Sequence, residues 1–452
     1  MIQPLLLFLI IISSSTTISS STTITNTTIT IPTVNYTHLL TYDENQLPHL
    51  NISQVNYTDI INQTYAAAIL ENNYLRVVLL PAMGRVYRII DKNTRQDILW
   101  RNEIAAPNGA NNDLKWWLWI GGIEYTLPGQ EHGFTWALKW DWTISKENLN
   151  VITTVTEPTT GIIETLCFSL SNRSRSLSTE VHLKNPTPSI AMFAHWTNVP
   201  FVPGPTNHLP TSTEFIVPTT QISVDKRWQS NLGPSIQNWS TSPLRYIKNW
   251  TNGTLMGDFT TLDLNRSYFG VYSHSDEVGA IRIFDRIINP GLDVWTYGFQ
   301  PPSCFPQNIN IAMHHCQYAE MWGGTVTHLE KLKPLKPYQE VKWIEKIQSF
   351  QGTRGIAFAN SFFVSNYWIE KEDTIVVIAF SFNVEMFNVT MTIGRNNTGT
   401  NTRSVREYES VIPSKLLLME FRRIHLRNGD TVVVRVNGIT GQIIGEYQLE
   451  LL

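Results

Sequence analysis

Residues 65–100 read YAAAILENNYLRVVLLPAMGRVYRIIDKNTRQDILW. Within them YLRVVLL (74–80) has the β-branched, apolar character of a strand, and PAMG (81–84) is a turn. RVYRII (85–90) alternates, with Val86 and Ile89 or Ile90 apolar. DKNT (91–94) is a hairpin turn, and DILW (97–100) begins the next strand. The same grammar continues for more than 250 further residues, in NVITTVTE (150–157), GIIETLCFSL (161–170), SLSTEVHLKN (176–185), IAMFAHWTNV (190–199), YFGVYSH (268–274), GAIRIFDRII (279–288) and DVWTYGF (293–299). No stretch sustains a 3.6-residue period beyond about three turns. The chain therefore reads as all-β, built from packed sheets.

Outward from this body the composition changes. Residues 2–12, IQPLLLFLIII, are too short for a membrane span of about 20 residues and suit the apolar centre of a signal peptide. No Lys or Arg precedes the run, so a short anchor within residues 1–22 is the other reading. Residues 23–64 follow as a Ser/Thr/Asn-rich stretch with few charges, expected to be a glycosylated stalk or linker. Residues 65–350 form the main β unit. Residues 351–452 form a second unit, with strands suggested by GIAFANSFFVS, DTIVVIAFSF, FNVTMTIG, KLLLMEFRRIHL, DTVVVRVN and QIIGEYQLELL. Turns such as Asn428-Gly429-Asp430 and Asn437-Gly438 separate them, and the length suits a small β-sandwich.

The 452 residues carry a net charge of -3, and only 16% are charged. No basic block is present, which argues against nucleic acid as a partner. N-x-[ST] triplets occur at Asn26, Asn35, Asn51, Asn56, Asn62, Asn172, Asn238, Asn252, Asn265, Asn388 and Asn396. With the apolar N-terminus they suggest an extracellular or cell-surface glycoprotein, attached to the membrane or cell surface through its N-terminus if the first segment is retained. The three cysteines, Cys167, Cys304 and Cys316, do not make a disulfide scaffold. Cys304 and Cys316 pairing and three free thiols both stay open, and His314 and His315 beside them do not complete a zinc set. No metal or cofactor is expected.

Residues 116–142 hold six of the fifteen tryptophans, interleaved with Gly121, Gly122, Glu124, His132 and Gly133. Aromatic faces beside a few polar groups are what a pyranose needs, with its flat C–H faces and rim of hydroxyls. Aromatic core filling explains the same residues. Glu320 stands in an apolar strand, where a carboxylate must be paired or hydrogen-bonded. Trp119, Trp295 and Trp322 are candidates for stacking on sugar. Glu320 with Glu124, or with Glu131, is a candidate carboxylate pair for glycoside cleavage.

Five stretches together resemble the galactose mutarotase-like β-supersandwich superfamily, and most of all a domain of unknown function within it. They are VVLLPAMGRVYRIIDKNTRQDIL (77–99), WIGGIEYTLPGQEHG (119–133), LKNPTPSIAMFAHWTNVPF (183–201), YAEMWGGTVTHLEKLKPLKPYQEVKWIEKI (318–347) and the shorter DVWTYG (293–298). The resemblance implies a supersandwich over 65–350, followed by the smaller C-terminal sandwich. It implies His195 as the general acid at the ring oxygen and Glu320 as the general base. Arg85 and His132 would bind sugar oxygens. The aspartate that reads sugar hydroxyls in that superfamily has no clear match, Asp285 and Asp293 being the nearby residues. Two functions follow: a carbohydrate-binding or carbohydrate-processing protein with acid–base chemistry at an anomeric centre, or a non-catalytic structural or self-assembling glycoprotein of the cell surface.

Overall fold

The computed structural model describes residues 21–129, 131–225, 234–250, 257–296, 317–370, 374–383, 385–395, 407–411, 413–421, 430–438 and 442–449. Among them, strands and short 3-10 turns are the only regular elements. Three large sheets make the main body. The N-terminal sheet runs, in spatial order, Gln96–Asp97, Arg85–Asp91, Leu75–Leu80, Ile60–Glu71, Thr23–Val34, Arg101–Gly109 and Trp116–Gly121. The central sheet runs Glu124–Thr126, Trp196–Phe201, Ala319–Gly324, Gly291–Thr296, Gly257–Thr261, Gln221–Val224 and Ile236–Asn238. The outer sheet runs Asp141–Ser145, Asn150–Thr156, Ile163–Leu170, Ser176–Lys184, Glu340–Gln351, Val278–Ile283, Tyr268–Ser273 and Thr213–Ile216.

Central and outer sheets stack through alternating residues. Ile163–Leu170 shows the half-buried, half-covered alternation of a strand on a core, and Leu166 and Phe168 are fully buried. Tyr125 crosses the layer, packing edge-on against Phe168 and donating its hydroxyl hydrogen bond to Thr179 at 3.0 Å. The N-terminal sheet closes on the other face of the central sheet. Trp100 stacks on Tyr318 with ring centroids 4.1 Å apart, and Trp119 donates to the Tyr318 hydroxyl at 3.0 Å.

The stalk expected at 23–64 is not a stalk. Thr23–Val34 pairs with Ile60–Glu71 over its full twelve residues, and Val34, Tyr36, Leu47 and Leu50 are buried. Threonine and isoleucine are good strand residues on a pleated, half-buried surface, so a run that looks like a linker by composition is a strand by propensity. The main unit thus includes the residues from 22 on, which the expected bounds of 65–350 left out. Of the signal or anchor segment expected at 1–22, residues 1–20 lie outside the described residues.

The C-terminal unit is a sandwich of two four-stranded sheets: Phe358–Ala359, Phe363–Glu370, Thr374–Ser381 and Leu416–Phe421 form one, and Glu407–Val411, Glu385–Arg395, Asp430–Gly438 and Ile443–Leu449 the other. Its own core includes Ile375, Val377, Met419, Val432, Val434 and Tyr447. It is pinned to the main body by Arg175. That side chain bonds Asp91 and Ser414, its backbone N–H donates to Phe382 O at 2.9 Å, and its guanidinium lies 5.2 Å from the Phe380 ring. A second apolar cluster joins Tyr268, Tyr272 and Phe350 to Val364, Phe380 and Phe382 across the same junction.

Candidate functional site

The site forms on the central-sheet face that meets the N-terminal sheet. In an antiparallel ladder, directly opposed residues point to one face. The register opposes Glu124 to Asn198, Asn198 to Trp322 and Trp322 to Asp293, with Glu320 opposed to Trp295 in the neighbouring row. Period two adds Tyr318, on the same face as Glu320 and Trp322.

Glu320 is 5% exposed and sits among three donors. The Tyr318 hydroxyl donates to Oε1 at 2.8 Å, while Trp322 Nε1 and Asn198 Nδ2 donate to Oε2 at 2.9 and 3.1 Å. Burial pushes its pKa up to about 7, against the pull of His132 and the Tyr318 hydrogen bond, and Glu124 and Glu131 add to the rise.

A second cluster adjoins it. Arg85 bonds Glu124 and also donates to Gly121 O at 2.9 Å. His132 Nδ1 lies 2.9 Å from the other Glu124 oxygen, and its Nε2 is 3.6 Å from Glu131. Burial alone would raise the Glu124 pKa, but Arg85 and His132 outweigh it and hold the group below its usual value. Burial alone would lower the His132 pKa, but Glu124, with Glu131 and Glu320, raises it. The imidazole stacks on Trp117 at 3.9 Å and meets Trp322 edge-on at 5.1 Å. His132 holds φ +64, in the left-handed region that side chains other than glycine rarely take. A strained backbone of this kind persists where surrounding contacts fix it, and it gathers at functional sites.

Local sequence explains this placement. Gly121 and Gly122 hold φ +85 and +73, and a Cβ on Gly121 would come within 2.6 Å of Trp100 O. Only glycine lets the chain turn so tightly between Trp116–Gly121 and Glu124–Thr126, which brings Glu124 beside Arg85. Gly133 closes the next turn, and Phe134 N–H donates to Leu127 O at 2.8 Å.

The structure brings together Arg85, Glu124, His132, Glu320, Trp119 and Trp322, and it separates His195. His195 is fully buried on the opposite face of the sheet, with Nε2 2.8 Å from Glu164 and the ring edge-on to Trp343 at 5.0 Å. Thr197, two residues on, shares that face and donates to Glu345, which is paired with Arg282. His195 therefore belongs to an ionic cluster between the sheets, and the expected His195–Glu320 acid–base pair does not form. Trp119 and Trp322 are also corrected as stacking platforms. Both are buried, and their indole N–H groups hold Tyr318 and Glu320. Trp295 is half-buried on the site face. Glu131 is partly exposed and accepts from Asn111 N–H. Asp285 sits in an exposed turn, capping Ile287 N–H, whereas Asp293 is buried on the site face and bonds Thr260. Tyr318, Trp117 and Asn198 are members that the sequence reading did not single out; the i, i+2 spacing of Tyr318 from Glu320 was the available signal.

Of the N-x-[ST] asparagines, Asn26, Asn51, Asn56, Asn62, Asn172, Asn238 and Asn265 are exposed and Asn35 is half-buried. Asn249, at the head of Asn249-Trp250-Thr251, carries the same triplet, was passed over in the sequence, and is exposed. Asn252, Asn396, Cys304, Cys316, His314 and His315 lie outside the described residues, as does the side chain of Asn388. Cys167 is a half-buried free thiol. Among the described residues, no group of His, Cys, Asp and Glu is arranged to hold a metal ion, and no helix is long and apolar enough to cross a membrane.

Fold and site together define an all-β supersandwich protein with a buried carboxylate–imidazole–guanidinium cluster where two sheets meet. Residues 45–345 match the profile of a family described as a domain of unknown function, DUF5107, and the chain belongs to that family. Among solved structures, a TPR-domain containing protein from Parabacteroides distasonis is similar with a TM-score of 0.60 and 17% identity, over 73% of this chain and 55% of that one. The chain thus spans little more than half of that protein. Galactose mutarotase-like proteins from Lactobacillus casei and Clostridium acetobutylicum are also similar. Each has a TM-score of 0.43, with 10% and 12% identity, over 63% and 64% of this chain and 99% and 96% of theirs.

Proposed function

We propose that the chain is an extracellular or cell-surface protein that takes a carbohydrate at the Glu320 face of the central sheet, and that this cluster performs acid–base chemistry at the sugar's anomeric centre. Glu320 is the proton acceptor. Its pKa near 7 suits a group that must both gain and lose a proton at neutral pH. His132 replaces His195 as its acid partner. Glu124 raises its pKa and holds Nδ1, and Arg85 holds Glu124 in turn. In ring opening, Glu320 would take the proton of the anomeric hydroxyl while His132 gave one to the ring oxygen; closure from the other face reverses both transfers. Glu124 is too fully engaged by Arg85 and His132 to serve as the second carboxylate of a glycosidase, which leaves Glu131 for that role. The apolar run 2–12 is the segment that would direct export or tether the protein.

The observation that carries this reading is the convergence of Glu320, His132 and Glu124, held by Arg85, where two sheets meet, with the pKa values of Glu320 and His132 raised and that of Glu124 lowered, a pattern typical of acid–base sites. The mutarotase-like names of several structural neighbours agree with it. The test is time-resolved NMR of the protein with anomerically defined mono- and oligosaccharides, beside Glu320→Gln. Anomer exchange or bond cleavage lost in the variant supports the chemistry. Saturation transfer without turnover reduces the protein to a binding module, and silence across a broad pool sinks the sugar reading.

A second reading has its own support. Arg85, Glu124, His132 and Glu320 are nearly inaccessible, and Trp117, Trp119 and Trp322 are all buried. A buried, hydrogen-bonded polar network also serves to specify a rigid body, which is what a structural surface glycoprotein needs.

A further inference from the structure

Strand Thr23–Val34 sits fifth of seven in its sheet, yet one of its edges is almost entirely open. It pairs with Ile60–Glu71 at every residue, but on its other side it meets Arg101–Gly109 only at Thr33 and Ala105. From that single bridge the two strands diverge. A groove of about 500 Å³ opens between Ile29–Pro32 and Arg101–Glu103. Among the described residues, nothing pairs with the free edge from Thr23 to Pro32.

The terminal strands of the three large sheets are protected in other ways: Gln96–Asp97 has two residues and a charge, Glu124–Thr126 has three and a charge, Ile236–Asn238 has three, Asp141–Ser145 and Thr213–Ile216 are short and carry Asp141 and Glu214, and Trp116–Gly121 is buried along its whole length. Short length and charged side chains are the usual defences of a sheet edge. Thr23–Val34 has neither: it spans twelve residues, TITNTTITIPTV, without one charged side chain. Its sole proline, Pro32, lies at the junction end. Residues 23–28, beyond the groove flanked by Arg101–Glu103, thus offer about 20 Å of uncharged, strand-prone edge, a template for pairing with another chain.

Near the middle of that edge stands Asn26-Thr27-Thr28, an N-x-[ST] triplet whose asparagine is exposed. We infer that Asn26 is a site of N-linked glycosylation, and that its glycan is the device that shields the open edge of this strand from edge-to-edge association. The inference rests on the extracellular reading above, since the modification needs a secretory compartment. The bond formed joins Asn26 Nδ2 to C1 of the first sugar. The bond broken is C1–O of a lipid-diphosphate-linked oligosaccharide donor. The diphosphate leaves with the bonding pair, and the amide gives up one proton. The Asn26 side chain stands on the sheet face, and a branched glycan on it is several times wider than the about 4.8 Å to a neighbouring strand, so it sweeps over the place that strand would take and hinders its approach.

The test uses the full chain made in a glycosylating eukaryotic host. Peptide mass spectrometry after enzymatic deglycosylation reads occupancy at Asn26 and Asn172. Sedimentation velocity reads the mass of the wild type, Asn26→Gln, Thr28→Ala and, as a control at an exposed triplet outside the strand, Asn172→Gln. Asn26 should be occupied, and wild type and Asn172→Gln should be monomers. Asn26→Gln and Thr28→Ala, which destroy the same triplet through different residues, should raise the weight-average mass about twofold or more. Adding Thr25→Lys to Asn26→Gln, which puts a charge on the edge, should restore the monomer. A bare Asn26 beside an occupied Asn172 would overturn the inference, and so would a monomeric Asn26→Gln or an association that Thr25→Lys does not reverse. Absence of glycan at every triplet would overturn the export reading along with it.

Discussion

Replacing Glu320 with glutamine should change the pH dependence of stability by a calculable amount. In the folded protein burial lifts this carboxyl from its ordinary 4.5 to about 7. The folded state therefore holds a proton that the unfolded chain has already lost over that interval. A group whose folded pKa is raised contributes stability that is fully present below about pH 4.5 and drains away as pH rises through about 7. At about 1.4 kcal/mol per pH unit, full ionisation costs the fold about 3 kcal/mol, most of which falls between about pH 5 and about pH 8. Glutamine has the same shape and does not titrate. Its oxygen can accept from Trp322 and Asn198, and its amide can donate to the Tyr318 hydroxyl. The wild type should thus lose about 2–3 kcal/mol relative to Glu320→Gln over this range, read as diverging urea midpoints in tryptophan fluorescence. An infrared band of a buried protonated carboxylic acid should fade with a midpoint near 7 and be missing from the variant. Parallel stability curves, or no such band, would refute the placement of Glu320 as a buried, proton-holding group, and with it the basis for calling it the base.

Three further outcomes follow from the same contacts. Arg85→Leu strands the Glu124 carboxylate without its guanidinium and should cost about 3–5 kcal/mol in denaturant melts; Arg85→Lys should recover only part, because a single ammonium cannot serve both Glu124 and Gly121 O in that geometry. His195→Asn should destabilise the inter-sheet core by about 1–3 kcal/mol while leaving sugar affinity and turnover at the wild-type level, the reverse of what the family resemblance implies. Arg175→Met removes the pin between the main body and the C-terminal sandwich, so scanning calorimetry should resolve two transitions where the wild type shows one, and a single unshifted transition would show the pin to be idle.

How far the sequence carried the argument differs from residue to residue. Alternation made the strands of the main body readable, and Gly121-Gly122 announced its turn, because period two and the needs of φ > 0 are local properties. Thr23–Val34 was not readable as a strand. A Ser/Thr run has the composition of a linker, and what makes this one a strand is its partner at Ile60–Glu71, some forty residues away. The site failed in a narrower way. Glu320, Arg85, Glu124 and His132 were all marked, yet the acid was assigned to His195, although Trp196 and Asn198 are the residues of that segment whose parity matches the Glu320 face. One position along a strand exchanges the two sides of a sheet. Spacing within a strand says which residues travel together, as Tyr318, Glu320 and Trp322 do, but only the ladder of Glu124, Asn198, Trp322 and Asp293 says which side of each strand faces the same space. A histidine one step out of phase therefore joins Glu164 and Glu345 in the opposite layer, and the imidazole that reaches Glu320's neighbourhood comes instead from a strained turn that no periodicity could place.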